Sequence, residues 1–260
     1  MSILLTITLS LLLALDYALA QTPEDRGLEI AVEADERDTG FGDQLSEMQM
    51  ILRNAAGKET TREVRVKTLE VDGDGDKSLS IFDKPRDVKG TAFLSYTHST
   101  KPDDQWLFLP ALKRVKRIAS RNKSGPFMGS EFAFEDITSF EVDKYTYKYL
   151  RDEEIDGRAT FVIEQFPTYE ASGYTRRTVW VDQEIYQPLK VEFYDRKDSL
   201  LKTLTFHDYQ QYLDRYWRAD RQEMINHQNK KSTTLKFSNY QFQTGLSDRD
   251  FDQNSLKRVK

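Results

Sequence analysis

The sequence contains no cysteine, and this absence limits the classes of protein to which the chain can belong. Disulfide scaffolds, zinc ribbons, thiol nucleophiles and an N-terminal lipid-modified cysteine are all excluded. A chain of 260 residues can bury a sizeable core, so it needs neither disulfides nor a metal to fold. Only 12 glycines and 7 prolines, beside 15 phenylalanines and 13 tyrosines, favour a folded, strand-rich chain over a disordered one.

An excess of positive charge is also lacking. The formal net charge of −5 argues against a nucleic-acid partner, because affinity for phosphates requires clustered Lys and Arg. His98, His207 and His227 lie far apart, without the spacing of a metal site. No phosphate-binding loop, dinucleotide fingerprint or nucleophile elbow occurs. The sequence therefore predicts no catalytic residues, no metal and no cofactor.

Long apolar runs are missing except at the N-terminus. Residues 3–15 are apolar apart from three hydroxyl side chains, and Ala18-Leu19-Ala20 follows. This run is shorter than the roughly 20 residues of a membrane span, and it ends like a signal-peptide cleavage site. We expect export to the periplasm with cleavage after Ala20, which leaves residues 21–260 as a single domain. A retained N-terminal membrane anchor is the alternative.

The remaining chain is dominated by short segments of period 2. One helix is predicted to start at Thr22-Pro23 and to end at Thr39-Gly42. Roughly a dozen short strands joined by polar turns are typical of an antiparallel sandwich or barrel. The clearest alternating segments are 44–53, 61–71, 77–82, 90–97, 105–109, 145–149, 159–166, 177–181, 189–195, 200–207 and 235–240.

Two of these strands present an apolar face. Met48, Met50 and Leu52 share one face of the first strand, and Val64 and Val66 share one face of the second. Flexible Met side chains suit irregular apolar cargo. A barrel of about a dozen strands is wider than the roughly eight-stranded size that side chains alone fill. The two faces therefore are predicted either to line a cavity or to belong to a filled core.

One connection is long and unusually apolar. More than 20 residues separate the strand that ends near Ile118 from the next strand. They include Phe127, Met128, Phe132 and Phe134. Such a connection is either a plug of the core or a movable lid over a cavity, and both interpretations place these side chains against the inside of the sheet.

A basic cluster precedes this connection. It consists of Lys113, Arg114, Lys116 and Arg117. Its plain interpretation is a strand end that faces solvent. The alternative is a contact with anionic lipid headgroups, or with a membrane partner, near the mouth of a cavity.

An aspartate-rich turn resembles the start of a calcium loop. Residues 72–78 read DGDGDKS, with acids at alternate positions. Lys77 stands where a calcium loop needs Gly, and Asp83 stands where it needs Glu. We therefore predict a hairpin turn without calcium.

Several phrases together give a family resemblance. They are DVKGTAFL at 87–94, DQWLFLPALKRV at 104–115, and segments 129–136, 174–182, 188–195 and 246–256. The phrases that contain Trp106 and Trp180 are specific when taken together. The chain resembles the LolA-like outer-membrane lipoprotein-sorting family, in its longer type associated with RND exporters. The resemblance implies an open, strongly curved antiparallel β-barrel of about 11–12 strands, with helices and a loop packed in its concave mouth.

The resemblance also implies a function. The expected protein is a monomeric, non-enzymatic carrier that binds the acyl chains of a lipoprotein or lipid in an apolar cavity and moves its cargo towards the outer membrane. The phrases that carry the resemblance add Phe93, Trp106 and Phe108 to the expected cavity wall. The alternative is an accessory subunit of an inner-membrane RND-type lipid exporter.

Overall fold

A computed structural model describes residues 21–258, so the predicted cleavage after Ala20 falls at the border of the described chain and the leader lies outside it. One α-helix, α1 (Pro23–Asp38), precedes all of the strands. The strands are β1 (Asp43–Arg53), β2 (Glu59–Leu69), β3 (Lys77–Lys84), β4 (Ala92–Tyr96), β5 (Asp104–Leu109), β6 (Arg114–Arg117), β7 (Tyr145–Ile155), β8 (Arg158–Pro167), β9 (Tyr174–Asp182), β10 (Pro188–Asp195), β11 (Leu200–Tyr212), β12 (Tyr216–Asn226) and β13 (Ser232–Phe242).

All 13 strands belong to one antiparallel sheet. Strands β1–β6 form one meander, β7–β13 form a second, and the pairing of β1 with β13 joins the two. Strands β6 and β7 are the two edges, so the sheet is curved but not closed. The predicted open antiparallel barrel is confirmed, with 13 strands instead of 11–12.

Helix α1 forms where the sequence predicts it. The Thr22 side chain accepts a hydrogen bond from the backbone N–H of Asp25 at 3.0 Å, and Pro23 occupies the first turn. Gly27 lets the helix approach β7, because a Cβ at this position would lie 2.8 Å from the backbone N of Tyr149. The helix buries Ile30 in the main core. Within residues 21–258, no helix is both long and apolar enough to cross a membrane.

The two faces of the sheet carry separate apolar clusters. The larger cluster includes Met50, Phe82 and Phe93. The smaller one covers the other face of β3–β6, where Phe251 and Leu256 of the C-terminal segment pack against the strands. Alternation along each strand assigns its side chains to one cluster or the other.

A cavity beside a packed crossing loop

Residues 118–144 connect the two edge strands, and this crossing loop runs over the inside of the sheet. Phe127 is fully buried, with its ring centroid 5.1 Å from that of Phe93 and 5.5 Å from that of Phe134. Phe132 is only 2 % exposed. Of the two interpretations of this loop, its packing is that of a plug.

Buried polar contacts bind the crossing loop to the sheet. Lys202 Nζ on β11 donates to Asp136 Oδ2 at 2.6 Å and to the Glu131 carbonyl at 2.9 Å. The Tyr174 hydroxyl donates to Asp136 Oδ1 at 2.9 Å. Arg62 on β2 donates to the Met128 carbonyl at 2.5 Å. The loop is thus bound by both halves of the sheet.

A second anchor lies at Glu135. Its carboxylate accepts hydrogen bonds from Tyr169 and Ser172, each at 3.0 Å, and from the Gly173 backbone N–H at 2.8 Å. Burial raises the pKa of Glu135, and the charge of Asp136 adds to this effect. Three hydrogen-bond donors nevertheless satisfy this carboxylate, and they stabilise it in its buried position.

A cavity of about 1030 Å³ opens beside the crossing loop. Its volume is at the upper end of the range of ligand sites, roughly 300–1,000 Å³. Its walls come from the C-terminal end of α1, the nearby halves of β1–β3 and β11–β13, and the loops 70–76, 136–143 and 186–188. Its apolar floor is formed by Met48, Val66, Phe132, Phe206, Leu235 and Phe237.

The rim of this cavity is acidic. Among the described residues that line it, Arg218 is the only basic one, and its guanidinium lies 2.5 Å from Asp38 Oδ1. The carboxylates that line it belong to Asp35, Asp38, Glu70, Asp72, Asp74, Asp76, Asp136, Glu141 and Asp143. The floor is therefore apolar, whereas the carboxylates give the rim a negative potential.

Two carboxyls of the rim lie in tightly packed surroundings. Burial raises the pKa of Asp76 to about 7, although the Ser139 hydroxyl donates to it at 3.1 Å. Burial also raises the pKa of Glu141 to about 7, and the charge of Asp76 acts in the same direction. A Cβ at Gly75 would lie 2.7 Å from the backbone carbonyl carbon of Thr97, so glycine is required beside this carboxyl. The charge of the rim thus changes near neutral pH.

The residues predicted for the cavity wall lie in three places, namely the cavity itself, the adjacent main core and the opposite face of the sheet. Met48, Val66 and Phe132 line the cavity. The others on the same face belong to the adjacent core: Met50, Leu52, Val64, Phe93, Phe127, Met128 and Phe134. The sequence-based set missed Phe206, Trp217, Leu235, Phe237 and Tyr240 of β11–β13, although the segment 235–240 already alternates.

Trp106 and Phe108 require a correction. Both lie in the smaller cluster on the opposite face of the sheet, where Trp106 packs edge-on against Tyr96. Leu107, between them, points to the main core instead. Side chains alternate across a strand, so two residues of β5 at even spacing cannot face the cavity when Leu107 faces the main core.

The basic cluster faces solvent, as in the plain one of its two interpretations, and does not lie near the cavity. Lys113, Arg114, Lys116 and Arg117 belong to the β5–β6 hairpin, and all four are exposed. The hairpin turn lies at the end of β5 opposite the β2–β3 loop, because β3, β4 and β5 alternate in direction. The β2–β3 loop lines the cavity, whereas no residue of the β5–β6 hairpin does, so the hairpin turn is remote from the cavity.

The aspartate-rich turn makes protein contacts. Asp74 Oδ2 lies 2.7 Å from Nδ1 of His98, and Asp74 Oδ1 accepts from the Ser99 backbone N–H at 3.0 Å. Although burial opposes it, the hydrogen bond from His98 brings the pKa of Asp74 down to about 2. Within residues 21–258, no group of three or more His, Asp or Glu side chains is arranged to hold a metal ion.

Comparisons with known proteins agree with this geometry. A family model described as an uncharacterized protein matches residues 74–258. A crystal structure from Vibrio parahaemolyticus, described as an outer membrane lipoprotein-sorting protein domain, is 61% identical with a TM-score of 0.89. That match covers 90% of this chain and 100% of the other. No curated protein is significantly similar to the chain.

Two further crystal structures extend the comparison. A DUF1329 family protein from Desulfovibrio piger is 32% identical, with a TM-score of 0.86 over 90% of this chain and 99% of the other. A LolA superfamily protein from Nitrosomonas europaea is 22% identical, with a TM-score of 0.71 over 88% of this chain and 98% of the other, and it shows the fold. The open curved sheet is thus a LolA-like fold. The chain belongs to the outer-membrane lipoprotein-sorting family of its 61% identical relative and is related to the DUF1329 protein, so the predicted family is confirmed.

Proposed function

We propose that this protein is a monomeric periplasmic carrier, in one domain over residues 21–260, that binds the acyl chains of a lipoprotein or lipid and moves them towards the outer membrane. The cavity of about 1030 Å³ with its apolar floor is the observation that carries the proposal. The lipoprotein-sorting description of its 61% identical relative supports the same role. The proposed function is non-enzymatic.

Burial of an acyl chain on the cavity floor supplies the binding energy in this proposal. Each CH₂ group that leaves water contributes about 0.8 kcal/mol. A chain can therefore be held by Met48, Val66, Leu235 and their neighbours without a dedicated polar motif, which agrees with the lack of such a motif in the sequence. The packed crossing loop then acts as one fixed wall, through Phe132.

The accessory role beside an inner-membrane RND-type exporter is compatible with the same cavity. Strands β6 and β7 are the two edges of the sheet, and an edge strand can pair with a strand of another protein. A stable complex between the purified protein and the exporter is the result that this second role predicts.

Filling the cavity tests the carrier proposal. Ala34 and Ala219 both line the cavity, so Ala34→Trp and Ala219→Trp reduce its free volume from two different walls. We expect each variant to weaken the binding of a fluorescent fatty acid at least about tenfold, because several CH₂ groups lose their contacts. Ala55→Trp, in the exposed β1–β2 turn, is the matched control. Unchanged affinity in both filled variants, with native folding shown by circular dichroism, would contradict the proposal.

A further inference from the structure

The β5–β6 hairpin carries an exposed apolar side chain at its tip. Leu112 is 52 % exposed and lies in the 3₁₀ turn Pro110–Leu112. The turn is closed by a hydrogen bond from the Lys113 N–H to the Pro110 carbonyl at 3.0 Å. Lys113 itself has a left-handed backbone with φ of 48°. The leucine is thus held outward by a defined turn.

The basic side chains around Leu112 have few acidic neighbours. Among the described residues, Lys113, Arg114 and Lys116 form no ion pair within 4 Å, whereas Arg117 pairs with Asp104. Three cationic groups on one short hairpin therefore remain available to an external anion. Their mutual repulsion costs stability, which a purely structural role does not require.

A second loop enlarges this basic surface. The β3–β4 loop contacts the hairpin, because a Cβ at Gly90 would lie 3.4 Å from Cγ of Pro110. It contributes the exposed Arg86 and Lys89, with Asp87 as its one acid. Hydrogen bonds from the N–H of Gly90 to the Phe82 carbonyl at 2.7 Å and from that of Thr91 to the Val88 carbonyl at 2.9 Å fix the loop.

A comparison with a second exposed leucine shows that the charges around Leu112 are unusual. Leu213, 50 % exposed, lies in the β11–β12 turn with φ of 50°. Its neighbours Asp214 and Arg215 have opposite charges. Within residues 105–117, by contrast, all of the charged residues near Leu112 are basic.

The geometry points to an anionic lipid bilayer as the partner of this surface, which consists of Leu112, Lys113, Arg114, Lys116, Arg86 and Lys89. Phosphate groups attract the five cations, and Leu112 inserts among the acyl chains at the interface. One isolated apolar side chain suits such an interface, whereas a stable protein contact needs a larger apolar core. The surface contains three of the four basic residues that the sequence indicates, without Arg117, and adds Arg86 and Lys89.

The charge distribution also sets the orientation on the bilayer. The hairpin turn is remote from the acidic cavity rim, so docking keeps the rim carboxylates away from anionic headgroups. Docking through the rim would place those carboxylates against the phosphates. This inference does not depend on the cargo, and its failure leaves the carrier proposal untouched.

Vesicle co-sedimentation of the exported protein tests the inference. We expect binding to vesicles of phosphatidylglycerol and phosphatidylcholine in equal parts, and none to vesicles of phosphatidylcholine alone. The triple variant Lys113→Glu, Arg114→Glu, Lys116→Glu should lower the bound fraction about tenfold or more. Raising the salt from 0.15 M to about 0.5 M should lower it as well, because the screening length falls below about 8 Å.

Matched variants distinguish binding through this surface from a general effect of net charge or of an exposed leucine. The control is a triple variant at exposed positions elsewhere, Lys148→Glu, Lys236→Glu, Arg249→Glu, which changes the net charge by the same amount as the hairpin variant. Its vesicle binding should stay within about twofold of that of the native protein. Leu112→Ser should reduce binding several-fold, and Leu213→Ser should not. Equal binding by the hairpin variant and its charge-matched control, or no binding by the native protein, would overturn the inference and assign the patch to a protein partner or to solvent.

Discussion

Lys202 Nζ and Asp136 Oδ2 lie 2.6 Å apart, and both side chains are only 4 % exposed. Lys202 belongs to β11, whereas Asp136 belongs to the crossing loop between the two edge strands. This buried ion pair therefore joins the loop to the middle of the second meander. It fixes Phe132, a few residues away, as a wall of the cavity.

Loss of one partner of this pair should strongly destabilise the protein. Lys202→Ala leaves the Asp136 carboxylate buried without its cation, and we expect the free energy of unfolding to fall by about 3–5 kcal/mol. Urea denaturation measures this change. Lys84→Ala removes the exposed pair with Glu63, 2.8 Å apart, and should change the free energy of unfolding far less, because water screens an exposed pair. Similar costs for the two variants would show that the buried pair does not hold the loop.

Truncation of Phe127 decides between plug and lid. The side chain is fully buried, so Phe127→Ala should lower the free energy of unfolding by about 3–5 kcal/mol. Phe140 lies in the same loop but is 38 % exposed, so Phe140→Ala should lower the free energy of unfolding by only about 1 kcal/mol. A small change at Phe127 combined with a clear loss of bound fatty acid would instead identify a movable lid.

The two raised carboxyls make stability depend on pH. Burial raises the pKa of Asp76 and of Glu141 from 3.8 and 4.5 to about 7. Between about pH 4 and pH 7 the folded state binds more protons than the unfolded state, so stability falls as pH rises through this window. Asp76→Asn with Glu141→Gln should flatten this slope and add about 1–2 kcal/mol at pH 8. Thermal unfolding at several pH values measures this dependence of stability on pH, and Asp72→Asn serves as the control. A slope that survives the double variant would refute the assignment.

The same carboxyls should affect which ligand binds. Above pH 7 both are ionised, and the rim then repels an anionic head group. We expect the affinity for a fatty acid to fall from pH 6 to pH 8, while the affinity for the uncharged fatty alcohol of equal length changes little. Competition against a fluorescent ligand at both pH values compares the two. An equal loss for both ligands would show that the protein's own stability, not rim charge, is responsible.

The sequence predicts the sheet better than it predicts the cavity. Parts of β1, β2 and β13 alternate in the sequence, as at Met48 and Met50, Val64 and Val66, and Leu235 and Phe237, and the N-cap at Thr22 marks α1. Strand β12 was missed because its buried residues Tyr216, Ala219 and Met224 are unevenly spaced and separated by charged side chains. Uneven spacing hides the alternation on which sequence patterns depend.

The cavity depends on contacts between distant segments, which periodicity does not contain. Alternation places Met48 and Val66 on the inner face, but it cannot show that the crossing loop fills the space beside Met50 and leaves the space beside Met48 open. The face of Trp106 was likewise set by register along β5 and not by its motif. The acidic rim joins α1 with two loops that are remote in sequence.

Mass spectrometry of the lipid extracted from the exported protein tests the carrier account most directly. The account predicts about one acyl-chain lipid per protein for the native chain, and several-fold less for Ala219→Trp, which fills the cavity. The Ala55→Trp control should retain the native amount. Absence of acyl lipid from the native protein even after incubation with lipid vesicles, or equal amounts in the native and filled proteins, would contradict the account.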